Sequence, residues 1–182
     1  MKYKYLAIFV LSLLIYSCQL FDISPENTTY RIISFKMDGE KWLPGVPSGY
    51  SANTELVEGL VKDDGVSIFA NRGYTKAFKS NELYEDEFVL GFFGLTEEKK
   101  YDIKLIKDKI EALLNVRFKG KIIENYNIDF SKGGYIEIKD YQPEFDLCGG
   151  EFEFYLKERS TGETKKITRR FFKISTTPFF YH

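Results

Sequence analysis

The sequence predicts an all-β fold, a single antiparallel β-sandwich or barrel-like domain, from two observations. The first is its ring content of 17 Phe, 13 Tyr and one Trp in 182 residues, because aromatic side chains pack well across a pleated sheet. The second is a series of short segments with alternating apolar residues, separated by turns rich in Gly, Pro and Asp. We expect core packing to occupy most rings; the alternative is stacking on sugars or lipids.

The first predicted hairpin lies near the start of this domain. Residues 30–37 alternate between apolar and polar types, as a half-buried strand does. Asp38 and Gly39 follow, and this dipeptide favours a two-residue turn because both positions adopt positive φ. We expect residues 40–43 to return as a strand and the Pro and Gly residues of 44–54 to form a long loop.

A second hairpin is predicted with strands over residues 55–62 and 66–71, joined by an Asp-Asp-Gly turn at 63–65. Residues 73–85 are polar and predict an irregular connection. Residues 88–93 are apolar on both faces, which indicates a central strand.

The middle of the chain allows two interpretations. Residues 101–106 and 111–118 predict a strand pair around residues 107–109. Residues 104–114 also carry apolar residues at helical spacing, so a helix is the alternative for this part.

The last third of the chain predicts further strands. Residues 120–125 are expected to connect to a strand over 126–131, and a Gly-Gly turn leads to a strand over 135–141. Residues 150–157 and 164–174 predict a closing hairpin, because both alternate cleanly.

Within this closing hairpin, three apolar side chains are predicted to point inward, namely Phe152, Phe154 and Leu156. Arg169 and Arg170 would face Glu151 and Glu153 on the neighbouring strand. Opposite charges on neighbouring strands predict ordinary cross-strand pairing rather than capture of an anion.

Three further features are candidate sites. Glu85, Asp86 and Glu87 are adjacent carboxylates that would point alternately to opposite faces of a strand, so a solvated edge is predicted rather than a calcium site. Cys148 is expected to be a small buried thiol. Trp42, beside Tyr50 and the Pro/Gly loop, could bind a ligand, but core burial is the preferred interpretation.

The sequence lacks the residues of the common enzyme classes. Its one histidine is His182, it holds too few ligands for zinc, and it has no P-loop or dinucleotide fingerprint. A carboxylate-pair hydrolase remains a less favoured alternative. We therefore predict no enzyme, no cofactor, and no catalytic, cofactor-binding or metal-ligating residue.

The first residues have the features of an export signal. An apolar run over residues 6–15 is shorter than the ~17–25 residues of a membrane-spanning helix and suits a signal-peptide core. It ends in Ile-Tyr-Ser-Cys at residues 15–18, which resembles the bacterial lipoprotein signal. The resemblance implies removal of residues 1–17 and acylation of Cys18; the alternative is a secreted protein with an ordinary thiol.

This signal divides the chain into a leader over 1–17, a lipidated cysteine and tether over 18–29, and a β domain over 30–182. Two or more acyl chains would anchor the protein stably, since each buried CH₂ contributes about 0.8 kcal/mol. We expect attachment to the outer membrane of a bacterial cell envelope. No acidic cluster of the kind that directs some Bacteroidetes-like lipoproteins to the surface follows Cys18, which favours the periplasmic face.

The charge of the mature chain argues against nucleic acid as a partner. Without Lys2 and Lys4, 24 basic and 27 acidic residues remain, a net charge of −3. A nucleic-acid-binding domain would show a basic surplus or stripe.

Three motifs occur in order, at residues 35–44, at 133–141, and at 150–154 followed by 167–171. They contain Asp-Gly-Glu-Lys-Trp-Leu-Pro, Gly-Gly-Tyr-Ile-Glu-Ile, and Gly-Glu-Phe-Glu-Phe with Ile-Thr-Arg-Arg-Phe. In this order the chain resembles a group of small Bacteroidetes lipoproteins of uncharacterised function, over nearly all of its mature length. Arg170 stands where that group has glycine. The resemblance implies an envelope-located β domain and no particular activity.

These observations predict a lipid-anchored envelope protein whose domain is a non-catalytic binding module for a glycan, a lipid or a peptide. The alternative is a structural or assembly partner of another envelope protein. A concave pocket lined by rings would favour the binding module. A flat exposed apolar patch or a bare edge strand would favour the assembly partner.

Overall fold

The computed structural model describes residues 31–45, 56–75 and 82–175. The predicted leader, Cys18, the tether and Tyr50 lie outside these ranges. No helix in the described ranges is long and apolar enough to cross a membrane.

The described residues form eleven β-strands and two short 3₁₀ helices. In chain order the elements are β1 (Arg31–Met37), β2 (Glu40–Trp42), β3 (Val57–Lys62), β4 (Gly65–Thr75), β5 (Leu83–Phe93), β6 (Lys100–Asp102), η1 (Lys107–Lys109), β7 (Ile110–Phe118), β8 (Lys121–Ile128), β9 (Gly134–Gln142), η2 (Pro143–Phe145), β10 (Leu147–Glu158) and β11 (Thr164–Ser175). The predicted all-β fold is therefore confirmed.

The strands belong to one antiparallel sheet in the order β2-β1-β11-β10-β8-β7-β5-β4-β3. The sheet branches at β10, which pairs with β9 over residues 147–154 and with β8 over residues 156–158. Strand β6 then extends the branch by pairing with β9.

Ring contacts show that the two halves of the sheet pack face to face. Phe35 of β1 lies 4.7 Å from Phe88 of β5, measured between ring centroids, and Phe92 of β5 lies 5.9 Å from Phe172 of β11. One apolar core fills the space between them, as expected for a sandwich or barrel-like domain.

The two ends of the sheet approach each other at one corner. After β2, the backbone of Gly45 reaches β4, where its N–H donates to the Asn71 carbonyl at 3.2 Å and its carbonyl accepts from Gly73 at 2.7 Å. Strand β3 packs on β11 so closely that a Cβ on Gly59 would lie 2.5 Å from Ile174. Glycine is therefore required at residue 59.

The alternating strand directions place the turns at two ends of the domain. We call the end where β1 begins, at Arg31, the basal end. It includes the β3–β4 turn and the end of β5. These two parts are joined by a hydrogen bond from the Gly94 N–H to the Asp64 carbonyl. The opposite, distal end contains the turns at residues 38–39, 119–120 and 159–163, the end of β4 and the start of β5.

Both predicted hairpins near the start of the domain are confirmed. Asp38 and Gly39 adopt positive φ of 51° and 90°, and β3 pairs with β4 across a turn at residues 63–64. Residues 88–93 form part of β5, which lies between β4 and β7. The closing hairpin is also confirmed, with Phe152, Phe154 and Leu156 buried in the core.

Three predictions of the middle region were wrong, and the alternative of a helix over residues 104–114 is excluded. Residues 73–75 and 83–85 are strand rather than irregular connection, and 121–128 form the continuous strand β8. Strand β6 pairs with β9 rather than with β7. Residues 104–114 are not an α-helix, because the turn of 3₁₀ helix at 107–109 leads directly into β7. The pairings that decide these cases are distant in sequence, so local patterns do not reveal them.

Candidate functional site

The inward-facing side chains change from apolar to polar toward the distal end of β4 and β5. The alternation that buries the apolar half of β4 continues to Arg72 and Tyr74, and that of β5 continues to Asp86 and Tyr84. Arg72 is the direct cross-strand partner of Asp86, and Tyr74 is the partner of Tyr84. The distal end of the interior is therefore built from two matched pairs.

Asp86 is the centre of this site, with only 1 % of its surface exposed. Its Oδ2 atom accepts a hydrogen bond from Trp42 Nε1 at 3.0 Å and another from Arg72 Nε at 3.1 Å, and Arg72 Nη2 bonds to the same oxygen. Its Oδ1 atom is buried and has no hydrogen bond of ordinary geometry from any described residue, although the Tyr74 hydroxyl interacts with the same carboxylate. A buried acceptor without a donor is costly, so a water molecule or a ligand hydroxyl group is needed to donate to this oxygen.

Trp42 and Arg72 connect Asp86 to the core and to the tyrosines. The Trp42 ring is fully buried and stacks on Phe35, with ring centroids 4.5 Å apart, which confirms the prediction that it is a core residue. The Arg72 guanidinium lies 5.4 Å from the Trp42 ring centroid and 4.8 Å from that of Tyr74. We refer to Trp42, Arg72, Tyr74 and Asp86 as the Asp86 cluster.

A row of stacked rings continues from this cluster across three strands. Tyr74, Tyr84 and Phe118 are register partners on β4, β5 and β7, and successive ring centroids are 5.7 Å and 4.7 Å apart. The Arg72 guanidinium covers the Tyr74 ring at one end of the row. At the other end, Lys119 Nζ lies 4.9 Å from the centroid of the Phe118 ring. Because the ring faces are occupied, a ligand would meet hydroxyl groups and ring edges rather than an open stacking platform.

The tyrosine hydroxyls at this end are held in the neutral form. Burial raises the pKa of Tyr74, and the nearby negative charge of Asp86 raises it further. Burial also raises the pKa of Tyr126, whose hydroxyl donates to Glu124 Oε2 at 2.8 Å. Neutral phenols donate and accept hydrogen bonds but do not act as bases near pH 7, so these two hydroxyls are hydrogen-bonding groups.

The prediction that residues 85–87 form a solvated edge was wrong for Asp86. Strand β5 is interior to the sheet, and only Glu85 and Glu87 point outward; Glu87 accepts from Asn115 Nδ2 at 2.9 Å. Within the described ranges, no group of three acidic, His or Cys side chains could hold a metal ion. The missed signal is the mirrored pattern of Arg-Gly-Tyr in one strand and Tyr-Glu-Asp in the next.

Two other predictions are confirmed. Arg170 Nη2 donates to Glu153 Oε2 at 2.9 Å as an ordinary interstrand pair, and the Tyr135 ring lies between Arg170 and Lys100. The side chain of Arg169 lies outside the description. Cys148 is a buried free thiol, and burial raises its pKa to about 12, so it is unreactive in the folded protein.

A second candidate surface lies on the outer face of β3, β4 and β5. Leu60 and Phe93 are 51 % and 57 % exposed, and Phe69 is also exposed. A cleft of about 250 Å³ lies between Leu60 and Phe93, with Gly91 among its lining residues. Strand β3 pairs with β4 and ends the sheet. This surface combines a small apolar cleft with an edge strand.

Comparison of the chain with family models, curated proteins and solved structures found no match. No activity or ligand is therefore transferred to it from another protein. The Asp86 cluster and the apolar surface around Phe93 are the two features from which a function is inferred.

Proposed function

We propose that this protein is a lipid-anchored envelope lipoprotein whose β domain binds a ligand non-catalytically at the Asp86 cluster. Acylation of Cys18 would place it in a bacterial envelope, with the periplasmic face of the outer membrane favoured. The observation that carries the binding site is the Oδ1 atom of Asp86, which is buried and lacks a hydrogen-bond donor.

The leader supports the anchor. A basic start, an apolar run of signal-peptide length and a small residue before Cys18 coincide within the first 18 residues. A lipid on Cys18 would hold the domain at the membrane without any spanning segment.

The chemistry of the cluster supports a glycan more than a lipid or a peptide. A sugar offers many hydroxyl groups, each of which donates and accepts, and the cluster offers a free carboxylate oxygen beside the Tyr74 hydroxyl. An acyl chain would leave Asp86 Oδ1 unpaired at a cost of about 1–3 kcal/mol.

A non-catalytic role fits the same residues. Asp86 Oδ2 already accepts three hydrogen bonds from fixed donors, and the raised pKa of Tyr74 keeps its hydroxyl protonated. A phenol held in this form does not act as a base near neutral pH.

The alternative is an assembly partner that docks another envelope protein. It is favoured by strand β3, which ends the sheet, and by the exposed side chain of Leu60 on that strand. Such an edge pairs readily with a strand from another chain.

Co-purification from envelope membranes tests these two functions. Wild-type protein, Tyr74→Phe and the control Tyr155→Phe would be extracted, and bound small molecules identified by mass spectrometry. We expect a glycan with the wild type and with Tyr155→Phe, whose substituted hydroxyl lies on the outer face. Tyr74→Phe should retain about 5- to 10-fold less, because one hydroxyl hydrogen bond contributes about 1 kcal/mol.

A stoichiometric protein in place of a small molecule would support the assembly partner. Equal glycan recovery from Tyr74→Phe and wild type would contradict binding at the Asp86 cluster. The anchor has a separate test: Cys18→Ala should move the protein from the membrane to the soluble fraction, and intact mass should show acyl groups on the wild type alone.

A further inference from the structure

The basal end exposes large apolar side chains that the proposed ligand site does not use. Phe93 ends β5 beside the β3–β4 turn, Leu60 precedes that turn, and Phe145 precedes β10. These three side chains are 57 %, 51 % and 48 % exposed. The end of β9, next to Phe145, meets the end of β3 there, because the Tyr141 hydroxyl donates to the Lys62 carbonyl.

The chain reaches this end directly from the predicted lipid. Strand β1 begins at Arg31, so twelve residues, 19–30, separate the domain from Cys18. Fully extended they span about 40 Å, and as a flexible chain about 20 Å. A lipid on Cys18 would hold the domain within about one domain diameter of the bilayer, and the chain enters the domain at its basal end.

We infer that the basal end rests on the lipid bilayer, with Phe93, Phe145 and Leu60 in the interfacial region. This inference rests on the proposed lipid anchor. Phe and Leu side chains insert at the boundary between headgroups and acyl chains when they form the apolar face of a surface-bound segment, and partial burial of each side chain adds to the affinity that the acyl groups supply.

Charge does not provide the attraction. Side chains of both signs surround the apolar groups, namely Lys62, Asp63, Asp64, Lys109, Glu144, Asp146 and Lys173. The contact is consequently apolar and should depend weakly on ionic strength. In this orientation the Asp86 cluster, at the distal end, faces away from the membrane and toward soluble or wall-bound ligands.

Depth-dependent fluorescence quenching tests this orientation on the full acylated protein. The variants Phe93→Cys, Phe145→Cys and Ile123→Cys would be labelled with one fluorophore each and placed in phosphatidylethanolamine and phosphatidylglycerol vesicles containing nitroxide lipids. Ile123 is the matched control, because it is 48 % exposed like Phe145 but lies at the distal end. Buried Cys148 should remain unlabelled, so one label per chain verifies folding.

We expect quenching at residues 93 and 145 to be at least 3-fold stronger than at 123, and to persist in 0.5 M salt. Equal quenching at the three positions, or stronger quenching at 123, would overturn the orientation. Weak quenching throughout, with crosslinking between copies through residue 93, would show that a second copy covers this end instead. Should Phe93→Cys fail to fold, Leu60→Cys replaces it.

Intact mass of the same preparation separates the two proposals. Acylated protein without basal quenching overturns the orientation and leaves the anchor standing. Protein without acyl groups overturns the anchor, and the docked orientation with it.

Discussion

Two ion pairs in this molecule have similar partners and very different surroundings. Arg72 pairs with Asp86 inside the sheet, where the carboxylate is buried, whereas Lys139 pairs with Glu151 at 2.5 Å on the outer face, where both side chains are at least 40 % exposed. Water and salt screen the outer pair. In the inner pair, Arg72 is 22 % exposed and Asp86 only 1 %, so removal of the arginine leaves a buried carboxylate without its counter-charge. Burial, rather than contact distance, therefore decides which pair the fold depends on.

The largest loss of stability is expected from Asp86→Ala. Removal of the carboxylate leaves the Arg72 charge and the Trp42 N–H without their acceptor, which should lower the free energy of unfolding by about 3 kcal/mol. Urea unfolding followed by circular dichroism measures this change. Glu151→Ala is the matched control and should leave the midpoint nearly unchanged; equal loss in both variants would show that burial does not distinguish the pairs.

A smaller effect is expected from Trp42→Phe. The smaller ring still packs near Phe35 but no longer donates to Asp86 Oδ2, so about 1.5–3 kcal/mol should be lost, as for a hydrogen bond to a charged group. The same urea experiment measures it. An unchanged midpoint would mean that the Trp42 N–H contributes nothing to holding Asp86 in place.

Glu158, at the distal β10–β11 turn, is a third carboxylate, and its contribution to stability depends on pH. Its Oε2 accepts from the Ser160 N–H at 2.7 Å and from both neighbouring hydroxyls at 2.9 Å, and these bonds, led by the one from the Thr161 backbone, lower its pKa to about 2. Because the pKa of Glu158 is lower in the folded state, its ionised form stabilises the folded protein at pH values above the unfolded-state pKa of about 4.3. That contribution is lost as the pH falls from about 4 to 2.

Glu158→Gln checks this pH dependence. Wild type should exceed the variant in stability at pH 6, and the difference should shrink steadily between pH 4 and pH 2. Thermal unfolding across this range provides the measurement. A difference that stays constant down to pH 2 would exclude ionised Glu158 as its source.

The smallest effect is expected at the outer pair itself. A double-mutant cycle with Lys139→Met and Glu151→Gln should show weak coupling at low salt and none in 1 M NaCl, because exposed charges are screened. The corresponding cycle with Arg72→Met and Asp86→Asn should keep its coupling in 1 M NaCl. Salt-sensitive coupling at the inner pair would indicate that water reaches it.

Local patterns in the sequence predicted much of the fold. Asp38–Gly39 fixed a turn, and the alternation of Phe152, Phe154 and Leu156 identified the inward face of β10, because turn chemistry and period-two burial act over a few residues. The early pairing of β3 with β4 followed in the same way.

The candidate site was missed for a physical reason. Arg72, Tyr74, Tyr84 and Asp86 point inward, yet their polarity breaks the apolar alternation, so residues 73–85 were predicted to be irregular. A charge is tolerated inside only when a partner is fixed beside it, and that partner lies on another strand. Pairing between distant segments decides such cases, as it does for β6 and β9.

Ligand binding at the Asp86 cluster can be tested by amide hydrogen exchange. The exchange of the full chain would be measured with and without glycans isolated from the envelope. Binding at the Asp86 cluster predicts slower exchange at residues 72–75 and 83–86, with β3 unchanged. Protection confined to residues 57–62, or no protection anywhere in the described ranges, would contradict a ligand site at the distal end.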